Sequence, residues 1–269
     1  KKPYDWDIAT SAFPEQVVTL FQNTAASVIP TGIKHGTVTV IVERNPVEVT
    51  TFRTEQKYSD HRHPDAVSFT SSLQEDLERR DFTINAIAYS PAEGIIDPFH
   101  GEQDIHTGII RCVGRPETRF GEDSLRIMRA LRFSSTLGFK IDNETSNSIL
   151  KNAGLLHYIA QERISAELSK LICGEQILPI LLHYSPVIGV FLPEILPAVN
   201  FRQQKNGETS SLWERISRSV SCSAPLLPVR LAMLLHDLAE PQCGFSEHAE
   251  IGSAIAKNAL TRLRYDRNM

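Results

Sequence analysis

Gly36-Thr37-Val38-Thr39-Val40-Ile41-Val42 and Val47-Glu48-Val49-Thr50-Thr51-Phe52 are two β-branched runs close together in the chain. Their composition is that of paired strands, and Arg44-Asn45-Pro46 between them reads as the turn of a hairpin. Strand alternation puts Glu48, Thr50 and Phe52 on one face and Val47, Val49 and Thr51 on the other. Towards the N-terminus, Asp7-Ile8-Ala9-Thr10 reads as a short strand that enters a helix over Pro14–Phe21, with Pro14 suited to a first helical turn. Asp5 and Asp7 are two apart on this strand, so both side chains face one way. Towards the C-terminus, Thr54–Pro64 is polar and reads as a loop. A helix is predicted over Leu73–Tyr89, a strand over Gly94–Ile96 ahead of Asp97-Pro98, and a closing strand over Ile109–Val113. After Gly114 the pattern is helical: Arg119–Leu137, Asn143–Lys151, Gln161–Ile172 and a block from Leu212 to Arg264. Asn200–Ser211 is polar and turn-rich, the pattern of a linker. The fold class expected is α+β, a mixed sheet with helices followed by an all-helical part.

Bulk composition narrows the function classes. The chain has 269 residues, 41% of them hydrophobic and 22% charged, with a net charge of −4. No apolar run approaches the roughly 20 residues of a membrane span. The most apolar stretch, Leu226–Leu238, contains Arg230, His236 and Asp237, so it reads as a buried core helix. Cys112, Cys173, Cys222 and Cys243 show no paired spacing. That argues against a zinc ribbon or a disulfide framework and fits a reducing cytoplasm. No signal peptide is visible, and a start at Lys1 leaves the true N-terminus open. A net charge of −4 does not exclude nucleic acid as a partner, because a local basic stripe suffices.

Two clusters carry chemistry. Asp5 and Asp7 on one strand face could share magnesium, and Glu48 is oriented to offer a third oxygen donor. An isolated Asp-x-Asp also reads as two solvated acids at a strand edge. The second cluster is Glu122-Asp123-Ser124-Leu125-Arg126-Ile127-Met128-Arg129-Ala130-Leu131-Arg132-Phe133. Asp123, Arg126, Arg129 and Arg132 recur every three residues and climb one side of a helix. Three arginines on one side repel unless anions lie alongside, and phosphates or polar base edges would serve. Asp123 accepts and Arg126 donates, which is a hydrogen-bonding edge suited to a nucleobase. The alternative is a solvated charged face with an i,i+3 ion pair.

Asp76-Leu77-Glu78-Arg79-Arg80-Asp81-Phe82-Thr83-Ile84-Asn85-Ala86 decides between these readings. With Glu48–Arg53 before it and Glu122–Phe133 after it, this run closely resembles the class II tRNA nucleotidyltransferases (CCA-adding enzymes) and bacterial poly(A) polymerases. The resemblance covers about Pro3 to Lys170 and, more loosely, the rest. It implies a polymerase-beta-type nucleotidyltransferase head over 1–114, a helical neck over 115–175 and a helical body over 176–269. It implies that Asp5 and Asp7 hold metal, with Glu48 beside them in the catalytic set. It makes Arg80, Arg129 and Arg132 nucleotide contacts, Asp123 and Arg126 the protein template that selects CTP and ATP, and Glu122 the residue that steadies that template. Magnesium is the implied cofactor, and CTP, ATP and the tRNA 3′ end and acceptor stem are the implied partners, with no membrane. Arg53–Phe69, with Tyr58, Asp60, Arg62 and Pro64, resembles the flexible loop of enzymes that add the terminal adenosine. The resemblance also places a Gly-Gly-x-Val-Arg-Asp segment ahead of Lys1 and a tail beyond Met269, so the sequence reads as part of a longer protein.

Other readings remain at this stage: an A-adding enzyme or poly(A) polymerase of the same family, or an RNA-binding body without catalysis. His236-Asp237, with His248 downstream, resembles the metal site of HD-type phosphohydrolases. There, Arg215 stands where an earlier histidine is expected and Glu240 where a lysine is usual, and arginine cannot ligate metal. The pair therefore reads as a helix-end hydrogen bond in a remnant domain.

Overall fold

The computed structural model describes residues 6–30, 32–56, 66–205, 208–243 and 248–266. They fall into two compact units that divide at Gly101. Among them no helix is long and apolar enough to cross a membrane.

In the first unit, β1 (Asp7–Thr10), α1 (Pro14–Phe21), β2 (Ser27–Ile29), β3 (Thr37–Val42) and β4 (Asn45–Thr51) build a sheet of order β1-β4-β3-β2. β4 is parallel to β1 and antiparallel to β3. Val38, Val40 and Val49 share the face that α1 covers, where Val17 joins them. The turn is Glu43-Arg44, both left-handed with φ of 50° and 69°, as a two-residue primed turn requires. This corrects the expected Arg44-Asn45-Pro46 turn, because Asn45 and Pro46 already pair with Val42 and Ile41. Pro46 is tolerated since β1 joins β4 only from Glu48 onward, leaving the strand's start open on one side.

β5 (Arg53–Gln56) and β6 (Ala66–Phe69) pair antiparallel. The expected loop therefore loses Thr54–Gln56 to a strand, and Tyr58, Asp60, Arg62 and Pro64 lie outside the described residues. α2 (Leu73–Glu78) stops far short of Tyr89. Asp81 diverts the chain there: its Oδ1 accepts from Phe82 N at 2.9 Å and from Asn85 Nδ2 at 3.1 Å, local bonds that compete with helical ones. β7 (Ala88–Ser90) and β8 (Gly94–Ile96) form a further hairpin.

The second unit opens with α3 (Gly101–Thr107) and β9 (Ile109–Ile110). β9 pairs in parallel with β10 (Lys140–Ile141), which ties the chain after Gly101 into the second unit. The division thus precedes the expected one at Gly114, and the strand expected over Ile109–Val113 is shorter. α4 (Pro116–Glu122) and α5 (Leu125–Leu137) replace the single helix expected over Arg119–Leu137. The break is at Asp123, with φ −130° and ψ 104°. α6 (Asn143–Asn152) and α7 (Gln161–Ile172) lie as the sequence predicts.

α8 (Ile177–His183), α9 (Ser185–Phe191) and α10 (Leu196–Asn200) follow. The expected linker over Asn200–Ser211 is instead a hairpin of β11 (Arg202–Lys205) and β12 (Glu208–Ser211). Asn206-Gly207 in the sequence is a strong hairpin signal. α11 (Leu212–Cys222) starts with a capping box between Ser211 and Glu214. α12 (Leu227–Leu235), α13 (Glu240–Cys243) and α14 (His248–Arg262) complete the helical block. The α+β head followed by a helical region is the fold class that the sequence predicts.

Two contacts organise the second unit. α7 ends against α5, where Ser135 Oγ donates to Leu171 O at 2.8 Å. A Cβ at Gly174 would stand 2.1 Å from that hydroxyl oxygen, so only glycine allows the approach. Arg230 on α12 is 4% exposed. Its Nη1 donates to Ile172 O (3.0 Å) and Gly174 O (3.2 Å), and its Nη2 to Ser223 O (3.1 Å) and Ser221 O (3.5 Å). These carbonyls end α7 and α11, where partial negative charge gathers. Arg230→Met should lower unfolding free energy by about 3 kcal/mol or more, since it strands buried acceptors. Urea denaturation checks this, and a loss below about 1 kcal/mol would show that the clamp is dispensable.

Candidate active site

In the first unit, strand register creates the acidic site. Asp7 is the pairing partner of Glu48 across the parallel β1–β4 ladder, and Glu48 is the partner of Thr39 across β3–β4. Paired residues point to one face, here the face opposite the valine core. Both carboxylates are exposed. The sequence reading of Glu48 as an added oxygen donor beside Asp7 is thus met by backbone pairing, while Asp5 lies outside the described residues. Two hard oxygen donors on neighbouring strands suit magnesium or another divalent cation. Among the described residues no group of three or more His, Cys, Asp or Glu could hold a metal, so any cage needs donors beyond Asp7 and Glu48.

The same unit holds a dense ion network. Asp76 is 1% exposed. Its Oδ1 accepts from Arg53 N (3.2 Å) and Arg79 Nη2 (2.8 Å), and its Oδ2 lies 3.5 Å from Arg80 Nη2. Glu55 pairs with Arg53 (3.0 Å) and Arg79 (3.2 Å). Burial, then the neighbouring Arg79, pull the pKa of Arg53 below the usual arginine value, while Glu55 and Asp76 oppose the shift. Among the described residues, two carboxylates meet three guanidiniums here, an excess of positive charge within that set. Arg80 also donates to Asn85 O at 3.1 Å, and its Nε is buried with no partner among the described residues.

In the second unit, α5 carries the predicted base-reading residues in an altered arrangement. Asp123 lies in the break before α5 and is not part of the arginine stripe. Its Oδ1 accepts from Leu125 N at 3.0 Å and its Oδ2 from Arg163 Nη2 at 3.1 Å. Arg126 is 8% exposed, and its Nη1 donates to Glu122 Oε2 at 2.7 Å. Glu122 Oε2 also meets Arg119 Nη1 at 3.1 Å. Among the described residues, the i,i+3 ion pair of the alternative reading is not found between Asp123 and Arg126, which have these separate partners instead. Arg132 Nε lies 2.8 Å from Glu167 Oε2 on α7, and its guanidinium stacks on Phe133 at 4.1 Å. Arg129 lies 5.3 Å from the same ring. Protein carboxylates therefore neutralise Arg126 and Arg132, so external anions are not needed to relieve the stripe.

Residues 1–111 match the Poly A polymerase head domain, and residues 138–198 match the model described as "Probable RNA and SrmB- binding site of polymerase A". A crystal structure of the Bacillus stearothermophilus CCA-adding enzyme in complex with CTP is 32% identical, with a TM-score of 0.62, over 97% of this chain and 68% of that one. The chain belongs to the CCA-adding enzyme family. A CCA-adding enzyme of Ligilactobacillus salivarius (strain UCC118) is 44% identical over 222 residues, 80% of this chain and 54% of the relative. One of Geobacillus kaustophilus (strain HTA426) is 43% identical over 224 residues, again 80% and 54%. The chain spans about half the length of these curated relatives. The Thermotoga maritima CCA-adding enzyme complexed with tRNA shares the fold, with a TM-score of 0.66 at 21% identity over 99% of this chain and 59% of that one.

Within this family member, Arg119, Arg163 and Glu167 are partners that sequence reading overlooked. Arg119 stands three residues before Glu122, a spacing that marks it. Arg163 and Glu167 are distant in sequence, and only the packing of α7 on α5 reveals them. The His236-Asp237 pair is flanked by a guanidinium. His236 Nε2 lies 3.1 Å from Asp237 Oδ2, Arg215 Nη2 lies 3.7 Å from the same oxygen, and Arg215 also binds the buried Glu240. A guanidinium fills the acidic pocket that a second metal ligand would need; the His248 side chain lies outside the described residues. With p-nitrophenyl phosphate and nickel or manganese, phosphate release should stay at background and be unchanged in His236→Ala. Release that His236→Ala abolishes would restore a hydrolytic role.

Proposed function

We propose that the chain is the catalytic part of a template-independent nucleotidyltransferase that adds CMP and AMP from CTP and ATP to the 3′ end of tRNA, in CCA addition or repair. The observation that carries this is the in-register pair Asp7–Glu48 on the exposed face of the sheet, in a chain 32% identical to an enzyme crystallised with CTP. The reaction joins the tRNA 3′ oxygen to the α-phosphorus of the nucleotide and breaks the bond to the β-phosphate, releasing pyrophosphate. Asp7 and Glu48, with Asp5, would hold magnesium. That cation, when bound, lowers the pKa of the attacking hydroxyl and neutralises charge on the leaving group.

Arg80 supplies a donor-rich guanidinium to the nucleotide from a cluster with excess positive charge. Asp123 and Arg126 read the base, with Glu122 orienting Arg126, and Arg129 and Arg132 flank the nucleotide. Cytosine and adenine each present an amino donor beside a ring-nitrogen acceptor; uracil and guanine present the reverse. An Asp acceptor beside an Arg donor accepts the first pair and rejects the second. RNA would be gripped through backbone and shape, so binding should weaken with salt. A tRNA substrate implies a cytoplasmic enzyme. Relatives named as CCA-adding enzymes favour complete CCA addition over addition of the terminal A alone or of a poly(A) tail.

Asp7→Ala should abolish incorporation on tRNAs lacking CCA, CA or A while leaving tRNA affinity within about twofold, as gel shift and product sequencing would record. Persistent incorporation would refute the metal assignment. Arg126→Ala should narrow the gap between CTP or ATP and UTP more than it slows chemistry. Unchanged selectivity would refute the base-reading edge.

A further inference from the structure

Asp123 and Arg126 are each held by a different protein partner. Glu122 holds Arg126 from four residues away. Asp123 is held from α7, 40 residues further on. We propose that Arg163 is a specificity-determining positioning residue, one that fixes the Asp123 carboxylate as the acceptor for the amino group of cytosine or adenine. This role rests on the nucleotide-adding reading above and adds to it the residue that makes the acceptor rigid.

The need for such a residue follows from the break between α4 and α5. With φ −130° and ψ 104°, Asp123 lies outside helical geometry, so the helix does not orient its side chain. Orientation comes from one donor on each oxygen, Leu125 N at 3.0 Å and Arg163 Nη2 at 3.1 Å. Rotating the carboxylate would break the second, charge-assisted bond. Each oxygen keeps a free lone-pair direction for a ligand. Without Arg163, the backbone bond alone would let the carboxylate swing, and a swinging acceptor tolerates the uracil edge.

Two further observations separate this from a packing role. Arg163 Nη1 is buried with no acceptor among the described residues, an arrangement that costs stability. Arg163 is also not required to dock α7, which Arg132–Glu167 and Ser135–Leu171 already join to α5. Docking of α7 therefore does not account for Arg163.

The test compares the chain with Arg163→Ala, Arg163→Lys and Glu162→Gln. Glu162 sits beside Arg163 on α7, and among the described residues its carboxylate makes only an exposed contact with Arg264 at 3.7 Å, so it controls for surface charge on this turn. Steady-state incorporation of CMP and UMP on tRNA lacking CCA, binding of CTP and UTP, and thermal melting are read for each. Arg163→Ala should cut the CTP-over-UTP ratio of kcat/KM by about tenfold or more, the scale of one charge-assisted hydrogen bond. Its KM for CTP should rise more than its kcat falls, with the melting temperature near that of the parent. Arg163→Lys should restore part of the ratio, and Glu162→Gln should keep it. An unchanged ratio in Arg163→Ala, or an equal loss for CTP and UTP, overturns the role of Arg163 while Arg126→Ala still reports on the edge. Should Arg163→Ala fail to fold, the positioning role is overturned unless folded Arg163→Lys shows a lowered ratio. If the parent chain neither binds nor incorporates CTP, the nucleotide-adding reading falls and this role with it.

Discussion

Arg230 is a buried cation whose acceptors are backbone carbonyls at the ends of two helices. Such a group is costly to bury, and the cost is offset because helix C-termini present several carbonyl dipoles to one point. The clamp fixes where α7 ends relative to α11 and α12. α7 in turn carries Arg163, which binds Asp123, and Glu167, which binds Arg132. The orientation of the Asp123–Arg132 stretch therefore depends on an arginine in a different part of the helical unit, through one rigid helix. Gly174 and Ser135 bring α7 close enough to α5 for these side chains to reach.

Charge is handled in two ways in this chain. On the sheet, Asp7 and Glu48 are left exposed to water. Around Asp76 and along α5, acids and arginines are matched at short range inside the protein, and Glu55, Asp76 and Glu122 each serve more than one guanidinium. Asp76 meets Arg53, Arg79 and Arg80; Glu122 meets Arg119 and Arg126. Shared acids hold arginines in place while leaving part of their donor capacity unspent.

Much of this was legible in the sequence. β-branched alternation located β3 and β4 and put Glu48 on the face away from Val49. The Asp-x-Asp spacing and the arginine repeat pointed to the two regions of the proposed site, and Glu122, expected to steady the template side chains, pairs with Arg126. Turn chemistry was harder. Glu43-Arg44 lacks the Asn or Gly that usually marks a primed turn, so the turn was placed on Arg44-Asn45-Pro46 instead. Asp81 and Asp123 each end a helix through their own side-chain hydrogen bonds, which periodicity cannot register. Arg163 was invisible for a different reason. Its meaning lies in a contact across 40 residues of chain, and no local pattern distinguishes it from a solvated arginine on an amphipathic helix.

The parallel pairing of β1 with β4 makes the acidic site a ruler graduated in backbone hydrogen bonds. Neighbouring strands stand about 4.8 Å apart, and that spacing, not the length of chain between Asp7 and Glu48, sets how far apart the two carboxylates begin. The intervening turn after β2 and the approach to β3 are free to lengthen or shorten in evolution without altering the site. One residue gained or lost within Asn45–Val47 is another matter: it would rotate Glu48 into the valine core and bring an apolar side chain to the water-facing row. The site is tolerant over dozens of positions and brittle over three.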